Sequence, residues 1–309
     1  MPLILFAGSP DEWVAYQQTL PAALKEAGVE AELTAESPAD PGRVDYIVTS
    51  PAGRISDYAP FVNCRLVQSL WAGVERITGN VTLTQPLARM VDPALTQGMI
   101  EYVTGHVLRL HLRMDDCLQD GRWRRIVPPL AAERKVAILG LGELGQAAAG
   151  ALGALGFRPL GWSRRPHDVP GVETHSGADG LTHVLSQAEI LITLLPLTPE
   201  TEGLLNATRL ARLPKGASII NPGRGPLIMD EALLEALDSG HLGRAVLDVF
   251  REEPLPPAHP FWTHPKVLVT PHIAAATRPA TAARVAAENI RRGEAGEPLL
   301  HLVDRRAGY

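Results

Sequence analysis

The stretch that most constrains the fold of this chain is VAILGLGELGQAAAG, residues 136–150. Gly140, Gly142 and Gly145 have G-x-G-x-x-G spacing, directly after an apolar run typical of a strand and at the start of an alanine-rich run typical of a helix. In such a turn the first glycine allows a tight reversal, the second lets a ligand approach the backbone, and the third lets helix and strand pack closely. The helix N-terminus then directs N–H groups toward an anion. The stretch therefore predicts a turn that binds a dinucleotide, with a glycine-rich turn that binds nothing as the alternative.

Short apolar runs alternate with helix-like stretches on both sides of this turn, which is typical of α/β proteins with parallel sheets. Strands are predicted at residues 3–7, 44–49, 64–70, 135–140, 158–163, 189–196, 217–221, 244–250 and 266–270. The fold class that follows is α/β, with two Rossmann- or flavodoxin-like domains.

The helix-like stretches differ in how clearly their ends are marked. A helix is predicted over residues 10–28, broken or kinked at Pro21. Another is predicted from Asp230, as its N-cap, to Gly240 just past its end. Residues 96–119 predict one long amphipathic helix that can connect two domains, and residues 277–297 predict a final helix. If this last helix packs on the first domain, the chain crosses between the domains twice.

Composition excludes several classes of partner. The chain has 309 residues, 45% of them hydrophobic, with a net charge of −5, so nothing favours binding to nucleic acid or to an anionic membrane. The N-terminus has no signal-peptide pattern, and no apolar run approaches the ~20 residues of a membrane span, so a cytoplasmic protein is expected. The two cysteines indicate neither a disulfide nor a metal centre. His106 and His111, five residues apart, point to different helix faces, so no metal site is predicted.

The predicted cofactor is a phosphorylated dinucleotide. The glycine-rich loop would bind the pyrophosphate, and an acidic residue at the end of the next strand would bind a ribose 2′-hydroxyl. Here that strand ends in GWSRRP, whose hydroxyl and guanidinium groups suit a 2′-phosphate. NADPH is therefore preferred, and NADH is possible if the two arginines are only solvated surface residues. The residues predicted to form this part of the cofactor site are Gly140, Gly142, Glu143, Leu144, Gly145, Ser163, Arg164 and Arg165.

Polar side chains follow three successive predicted strands of the same domain. Arg224 follows 217–221, Glu252 and Glu253 follow 244–250, and His272 follows 266–270. Since open α/β sheets bind ligands at the carboxyl ends of their strands, we expect these groups to meet. Any one of them alone would be read as an ordinary surface or polar contact.

The chemistry of this set fits reduction of a 2-keto acid. Arg224 can bind the substrate carboxylate bidentately and polarise the keto group, because its planar guanidinium stays charged. His272 can protonate the developing alkoxide as hydride arrives. A carboxylate that orients the imidazole would favour its protonated form, and by spacing alone either glutamate could serve.

Several motifs in this order resemble the D-isomer-specific 2-hydroxyacid dehydrogenase family, and within it the A-type glyoxylate/hydroxypyruvate reductases. They are GLGELG, NPGRG, LDVFREEPLP and TPHIAA, supported by WAGVERI, GMIEYV, WSRRP, LITLLPLTPET, EEPLPPAHPFWTHP and the closing RRAGY. The resemblance covers nearly the whole chain. It implies a cofactor domain, residues 98–275, inserted into a substrate domain made of residues 1–97 and 276–309, with the active site in the cleft. It also implies a homodimer; the RWRR stretch at 122–125 is read as a basic surface patch, with a subunit contact as the alternative.

The resemblance also assigns roles to individual residues. Arg224 matches the catalytic arginine, His272 the acid/base histidine, and Glu253 the glutamate that orients this histidine. Two positions depart from the commoner family pattern, the Pro-Gly before Arg224 and the bulky Trp71. The remaining cofactor contacts implied are Leu195, Pro196, Pro222, Gly223 and Asp248, the last at the nicotinamide carboxamide. The implied substrate contacts are Trp71, Ala72 and Gly73, together with Arg224 and His272.

These expectations predict one function, with two alternative functions left open. The predicted reaction is NADPH-dependent reduction of glyoxylate or hydroxypyruvate to the 2-hydroxy acid. A rival within the enzyme class is a dehydrogenase for another acid, phosphoglycerate or a bulkier D-hydroxy acid, whereas formate oxidation is disfavoured because that branch has Gln at the position of Glu253. A rival from another class is a nucleotide-sensing binding protein that resembles the family's corepressors.

Overall fold

The computed structural model describes residues 1–118, 123 and 125–305. The chain forms two compact units. The first unit contains Met1–Leu95 and the chain from Thr277 on, and the second contains Thr96–Ala276. The second unit is thus inserted into the first. Gln119, two residues of the RWRR patch (122 and 124) and residues 306–309 lie outside the described residues.

The first unit is built on a five-stranded parallel sheet in the order β2-β1-β3-β4-β5. Its strands are β1 Leu3–Phe6, β2 Glu32–Thr34, β3 Tyr46–Thr49, β4 Leu66–Ser69 and β5 Leu87–Ala88. Its helices are α1 Pro10–Tyr16, α2 Thr19–Glu26, α3 Glu75–Thr78 and α10 Pro279–Ala295, the last of which packs against α2. Strands β2 and β5 were not predicted, because they have three and two residues and neither forms an apolar run.

The helix predicted over residues 10–28 is two helices, and Pro21 is not where they separate. α1 ends at Tyr16 and α2 begins at Thr19, so the break falls at Gln17 and Gln18. Pro21 lies in the first turn of α2, where the missing N–H costs little because such N–H groups have no partner within a helix.

The second unit is built on a seven-stranded parallel sheet in the order β12-β11-β10-β9-β6-β7-β8. Its strands are β6 Val136–Leu139, β7 Leu160–Ser163, β8 Glu173–Ser176, β9 Ile190–Thr193, β10 Ala217–Asn221, β11 Leu242–Leu247 and β12 Val267–Val269. Its helices are α4 Pro93–His111, whose first residues belong to the first unit, α5 Met114–Leu118, α6 Glu143–Ala154, α7 Gly177–Gln187, α8 Ala207–Leu210 and α9 Asp230–Asp238. Two parallel-sheet α/β domains, one inserted in the other, confirm the predicted fold class.

The long helix predicted over 96–119 is also divided. α4 ends at His111, Arg113 adopts a left-handed conformation with φ of 54°, and α5 begins at Met114. The reversal brings Asp115 back to Arg109, whose Nη2 lies 2.5 Å from Oδ1 of the aspartate. Asp230, predicted as a cap, is instead the first residue of α9, and Met229 occupies the N-cap position.

Each sheet is covered by apolar side chains on both faces. In the second unit, one buried cluster includes Leu139, Leu191 and Ile219, and the cluster on the other face includes Ile138, Ile192 and Ile220. Alternate residues of one strand thus face opposite helical layers, as expected for parallel strands buried on both sides. No helix within the described part of the chain has the length and apolarity needed to cross a bilayer.

Candidate active site

The glycine-rich turn lies between β6 and α6, and each of its three glycines has different surroundings. Gly140 has φ of +105°, and a Cβ there would lie 2.4 Å from the carbonyl oxygen of Leu194. A Cβ on Gly145 would lie 1.8 Å from the carbonyl oxygen of Gly140. Gly142 caps α6, and nothing lies within 4 Å of the position its Cβ would take. The fold itself therefore requires the first and third glycines, whereas the second leaves open space where a ligand can approach the backbone.

The end of β7 carries the residues predicted to bind the 2′-phosphate of the cofactor. Ser163 donates a hydrogen bond of 2.6 Å to the carbonyl oxygen of Arg165, and both arginines are exposed. The pKa of Glu200 is lowered, mainly by a hydrogen bond from Thr198 and to a smaller extent by the charge of Arg164. Arg164 therefore lies near the segment after β9, which also holds Leu195 and Pro196.

The loop that carries Arg224 is held by the last residue of β10. The Asn221 amide donates a 3.0 Å hydrogen bond to the Arg224 carbonyl, while its Oδ1 accepts from Thr193 at 2.6 Å and from the Gly223 N–H at 3.2 Å. Nη1 of Arg224 donates to the Gly223 carbonyl at 2.7 Å. The loop is thus fixed from within the sheet, and the arginine side chain is half-buried.

The two glycines beside Arg224 are required by close packing and not by a special backbone conformation. Neither Gly223 nor Gly225 has a positive φ, so tight turning is not what they provide. A Cβ on Gly223 would lie 2.7 Å from the Thr193 carbonyl oxygen, and one on Gly225 would lie 2.0 Å from the backbone of Phe250. They are small because the loop packs directly on two neighbouring segments.

Glu253 and His272 form a hydrogen-bonded pair. Oε2 of Glu253 lies 2.7 Å from Nδ1 of His272, and Oε1 accepts the Phe250 N–H at 2.9 Å. Since an ionised carboxylate only accepts, the imidazole donates from Nδ1, which leaves Nε2 without a partner among the described residues. Glu252, the alternative that spacing left open, is exposed and does not pair with the histidine.

The pKa of His272 is raised and that of Glu253 is lowered, as is needed if the imidazole is to donate a proton. The hydrogen bond to Glu253 raises the pKa of His272, and the charges of Glu253 and Asp248 act the same way against burial and Arg224. Burial alone would raise the pKa of Glu253, but the hydrogen bonds from His272 and Phe250, with the charges of His272 and Arg224, lower it. Because the Arg224 charge acts on both groups, all three side chains lie at one edge of the sheet.

His272 is held in a left-handed backbone conformation by Asp248. Its φ is +52°, which costs energy for a residue with a Cβ, and its N–H donates to the Asp248 carbonyl at 2.8 Å. The fully buried Asp248 carboxylate accepts from Thr270 Oγ1 at 2.6 Å and from the N–H groups of Ile273 and Ala274, each at 2.9 Å. This carboxylate thus organises the loop on both sides of the histidine. Its described contacts are with protein donors, and the predicted nicotinamide contact stays a prediction.

In the first unit, the loop after β4 carries the predicted substrate contacts. The side chain of Trp71 is 42% exposed, and its indole N–H donates to Oε1 of Glu12 at 2.8 Å. Oε2 of Glu12 also accepts from the Ser9 N–H at 2.7 Å and from Ser50 Oγ at 2.8 Å. One carboxylate thus ties together the segments after β1, β3 and β4, and it fixes the orientation of the indole.

The backbone of this loop leaves two donors available. The N–H groups of Ala72 and Gly73 donate to no residue in the described part of the chain. Both residues are only half-buried, so an anion can reach these donors.

Several residues that position these side chains were not predicted from the sequence. They are Glu12, Asn221, Thr270 and Tyr102, whose hydroxyl lies 2.7 Å from Oγ1 of Thr270. The spacing of Ser9 and Glu12 signals a capping box at the start of α1, which the structure contains, but that pattern gives no indication of the indole contact. Asn221 acts mainly within its own loop. Thr270 and Tyr102 have no local signal, since each acts through a hydrogen bond to a distant part of the chain.

The fold and this constellation define a class, the NAD(P)-dependent oxidoreductases. Residues 103–274 match the family model described as D-isomer specific 2-hydroxyacid dehydrogenase, NAD binding domain. Glyoxylate/hydroxypyruvate reductase A of Serratia proteamaculans (strain 568) is 39% identical over 311 residues, covering 97% of this chain and 96% of that protein. The chain belongs to the D-isomer-specific 2-hydroxyacid dehydrogenase family.

Solved structures of relatives resemble the whole chain. A D-isomer-specific 2-hydroxyacid dehydrogenase from Xanthobacter autotrophicus Py2, in complex with NADPH and MES, has a TM-score of 0.91 at 41% identity, covering 100% of this chain and 99% of that one. An NADPH-dependent glyoxylate/hydroxypyruvate reductase from Sinorhizobium meliloti, in complex with NADP and sulfate, has a TM-score of 0.85 at 37% identity and covers 100% of both chains. The family identified from the motifs is therefore confirmed.

Proposed function

We propose that this protein reduces glyoxylate or hydroxypyruvate to the corresponding 2-hydroxy acid with NADPH. The observation that carries the proposal is the placement of Arg224 beside the hydrogen-bonded pair of Glu253 and His272 at one sheet edge. A cation for the carboxylate and a proton donor with a raised pKa are the two groups that this reduction needs. The reductases named above support the substrate class.

We propose the following role for each residue. Arg224 binds the substrate carboxylate and polarises the keto oxygen, with its backbone held by Asn221. NADPH supplies the hydride to the keto carbon when bound. His272 gives its Nε2 proton to the oxygen as negative charge develops there, and Glu253 keeps Nδ1 protonated and stabilises the imidazolium. The N–H groups of Ala72 and Gly73 are suited to bind a carboxylate, with Trp71 limiting the size of the substrate.

The residues of the second unit fit a phosphorylated dinucleotide. The open space beside Gly142 lies at the N-terminus of α6, where backbone N–H groups and the helix dipole favour a pyrophosphate. The 2′-phosphate would be bound by Ser163, Arg164 and Arg165 at the end of β7. The remaining residues proposed to hold the cofactor are Gly140, Glu143, Leu144, Gly145, Leu195, Pro196, Pro222, Gly223 and Asp248. We also propose that the active protein is a homodimer.

A substrate panel tests the proposal. Initial rates are measured with NADPH and with NADH on glyoxylate, hydroxypyruvate, phosphohydroxypyruvate and phenylpyruvate. We expect the highest kcat/KM with NADPH and one of the two small acids. Preference for a bulky or phosphorylated acid would show a different dehydrogenase. Tight NADPH binding with no turnover of any acid would show a nucleotide-sensing protein instead.

Cofactor choice has its own test. Replacing both Arg164 and Arg165 with alanine removes the charges proposed to bind the 2′-phosphate. We expect the KM for NADPH to rise while that for NADH stays nearly unchanged. An equal change in both KM values would show that these arginines do not read the phosphate.

A further inference from the structure

Three side chains of types that can ligate a metal lie together at the edge of the second unit, on the strand and helix that follow β7. Glu173 and His175 belong to β8, the last strand of the sheet, and His183 belongs to α7. Each offers one ligand atom, and these atoms all lie within 4.8 Å of one another. This is the only such group of three or more found in the described ranges 1–118 and 125–305. No motif in the sequence predicted this group, and no metal site was expected.

The fold brings these three side chains to one face. Residues 173 and 175 are two apart on a strand, so their side chains point the same way. His175 is paired with Trp162 of β7, whose side chain packs in the cluster that contains Leu181 of α7. The face that carries the two strand ligands is therefore the face covered by α7.

A glycine on α7 makes room for the strand histidine. A Cβ on Gly180 would lie 3.1 Å from the Cβ of His175, a tight contact. His183 is three residues further along, on the same side of the helix. The two imidazole rings consequently lie with their centroids 4.5 Å apart. Helix and strand thus hold both rings against the same carboxylate.

The spacing of the ligand atoms is close to that of a metal site. Nε2 of His175 lies 2.9 Å from Oε1 of Glu173, and Nε2 of His183 lies 3.9 Å from the same oxygen. Ligands bound tetrahedrally to zinc at about 2.0–2.1 Å are about 3.3 Å from one another. The two observed distances fall on either side of this value, and all three atoms lie within 4.8 Å of one another.

The chemistry of the donors limits which ion can bind. Two imidazole nitrogens and one carboxylate oxygen suit zinc and the neighbouring divalent transition metals, whereas magnesium and calcium need mostly oxygen ligands. Side-chain exposure is 25% for His175, 49% for His183 and 62% for Glu173, so an ion can enter from solvent and water can complete its coordination.

We propose that Glu173, His175 and His183 form a binding site for a divalent transition metal, with zinc as the representative ion. The ion ties the edge strand β8 to α7. The site lies apart from Arg224, Glu253 and His272, which belong to the loops after β10, β11 and β12. A bound ion therefore stabilises the edge of the sheet and takes no part in the proposed reduction.

Zinc titration of the metal-free protein tests this proposal. The full-length protein, free of any histidine tag, is treated with EDTA, dialysed, and titrated with Zn²⁺ in a calorimeter. The His183→Asn substitution changes a largely exposed side chain. This variant is expected to bind one equivalent of zinc fewer, or to bind it more than about tenfold more weakly. A tenfold loss of affinity is often seen even when a residue that only hydrogen-bonds to a metal ligand is replaced. Zinc is also expected to raise the melting temperature of the wild type more than that of the variant, because it binds the folded state.

His264→Asn is the matched control. His264 is also an imidazole beside a carboxylate, with Nε2 3.2 Å from Oδ1 of Asp238, but it belongs to no group of three. We expect this variant to bind zinc as the wild type does. Zinc bound elsewhere, for instance at His272, contributes equally to all three proteins and cancels. Identical stoichiometry and affinity in the wild type and His183→Asn would overturn the proposal, whatever the outcome of the activity assays.

Discussion

The charge-conserving substitution Arg224→Lys separates the guanidinium's geometry from its charge. In the structure Nη1 of Arg224 donates to the Gly223 carbonyl, and the guanidinium is proposed to bind the substrate carboxylate through two of its donors. A lysine ammonium has no planar arrangement of donors, so it cannot keep the backbone bond and bind two oxygens side by side. The substitution therefore removes either the hydrogen bond to the Gly223 carbonyl or one of the two hydrogen bonds proposed to the substrate carboxylate.

The size of the effect follows from the lost contact with the substrate, because the bond to Gly223 is already made in the free enzyme. A hydrogen bond to a charged partner contributes about 1.5–3 kcal/mol. This loss of transition-state binding corresponds to a decrease in kcat/KM of roughly 10- to 150-fold. The affinity for NADPH should change little, because the proposed role of this side chain is to bind the acid.

The assay compares kcat/KM for glyoxylate and the dissociation constant of NADPH in the wild type and the variant. Arg209→Lys is the control, because Nη1 of Arg209 also donates to a backbone carbonyl, that of Leu204 at 2.8 Å, in the same unit. We expect the control to keep nearly full activity. A kcat/KM for Arg224→Lys within about threefold of the wild type would refute the proposed bidentate role, since it corresponds to less than 1 kcal/mol.

Further predictions concern the proton donor and the cofactor turn. Glu253→Gln removes the carboxylate that raises the pKa of His272, and the reduction needs the protonated imidazole. The alkaline limb in the pH profile of kcat/KM should therefore move to lower pH in this variant. An unmoved alkaline limb would count against the role of the pair. Thr270→Val removes a hydrogen bond to the buried carboxylate that holds the histidine loop, so kcat should fall with NADPH affinity nearly unchanged, and an unaltered kcat would contradict this positioning role. Gly142→Ala should leave the melting temperature nearly unchanged but weaken NADPH binding, whereas Gly145→Ala should lower the melting temperature because its Cβ would collide with a backbone carbonyl. Thermal melts and cofactor titrations of both variants check this contrast, which fails if they behave alike.

Helix boundaries show where local patterns stop being informative. The pattern over 96–119 is amphipathic throughout, yet Arg113 leaves the helical conformation and Asp115 pairs with Arg109. The kink predicted at Pro21 fell instead at Gln17 and Gln18, because a proline in the first turn of a helix is tolerated. In both cases the pattern identified the helices, but the position of the break depended on contacts and capping that a hydrophobic period does not encode.

What the sequence determined by itself was the parallel α/β architecture, the glycine-rich turn and the strand ends that carry Arg224, Glu253 and His272. These follow from local rules, because apolar runs specify buried strands and parallel strands bring their carboxyl ends to one edge. Only the tertiary structure decided which oxygen of Glu253 contacts His272, and that Glu12 fixes Trp71 from 59 residues away. It alone brought His183 to the two ligands on β8. Such contacts depend on how elements pack in three dimensions, and a one-dimensional spacing carries no information about the atoms that a neighbouring helix or strand will present.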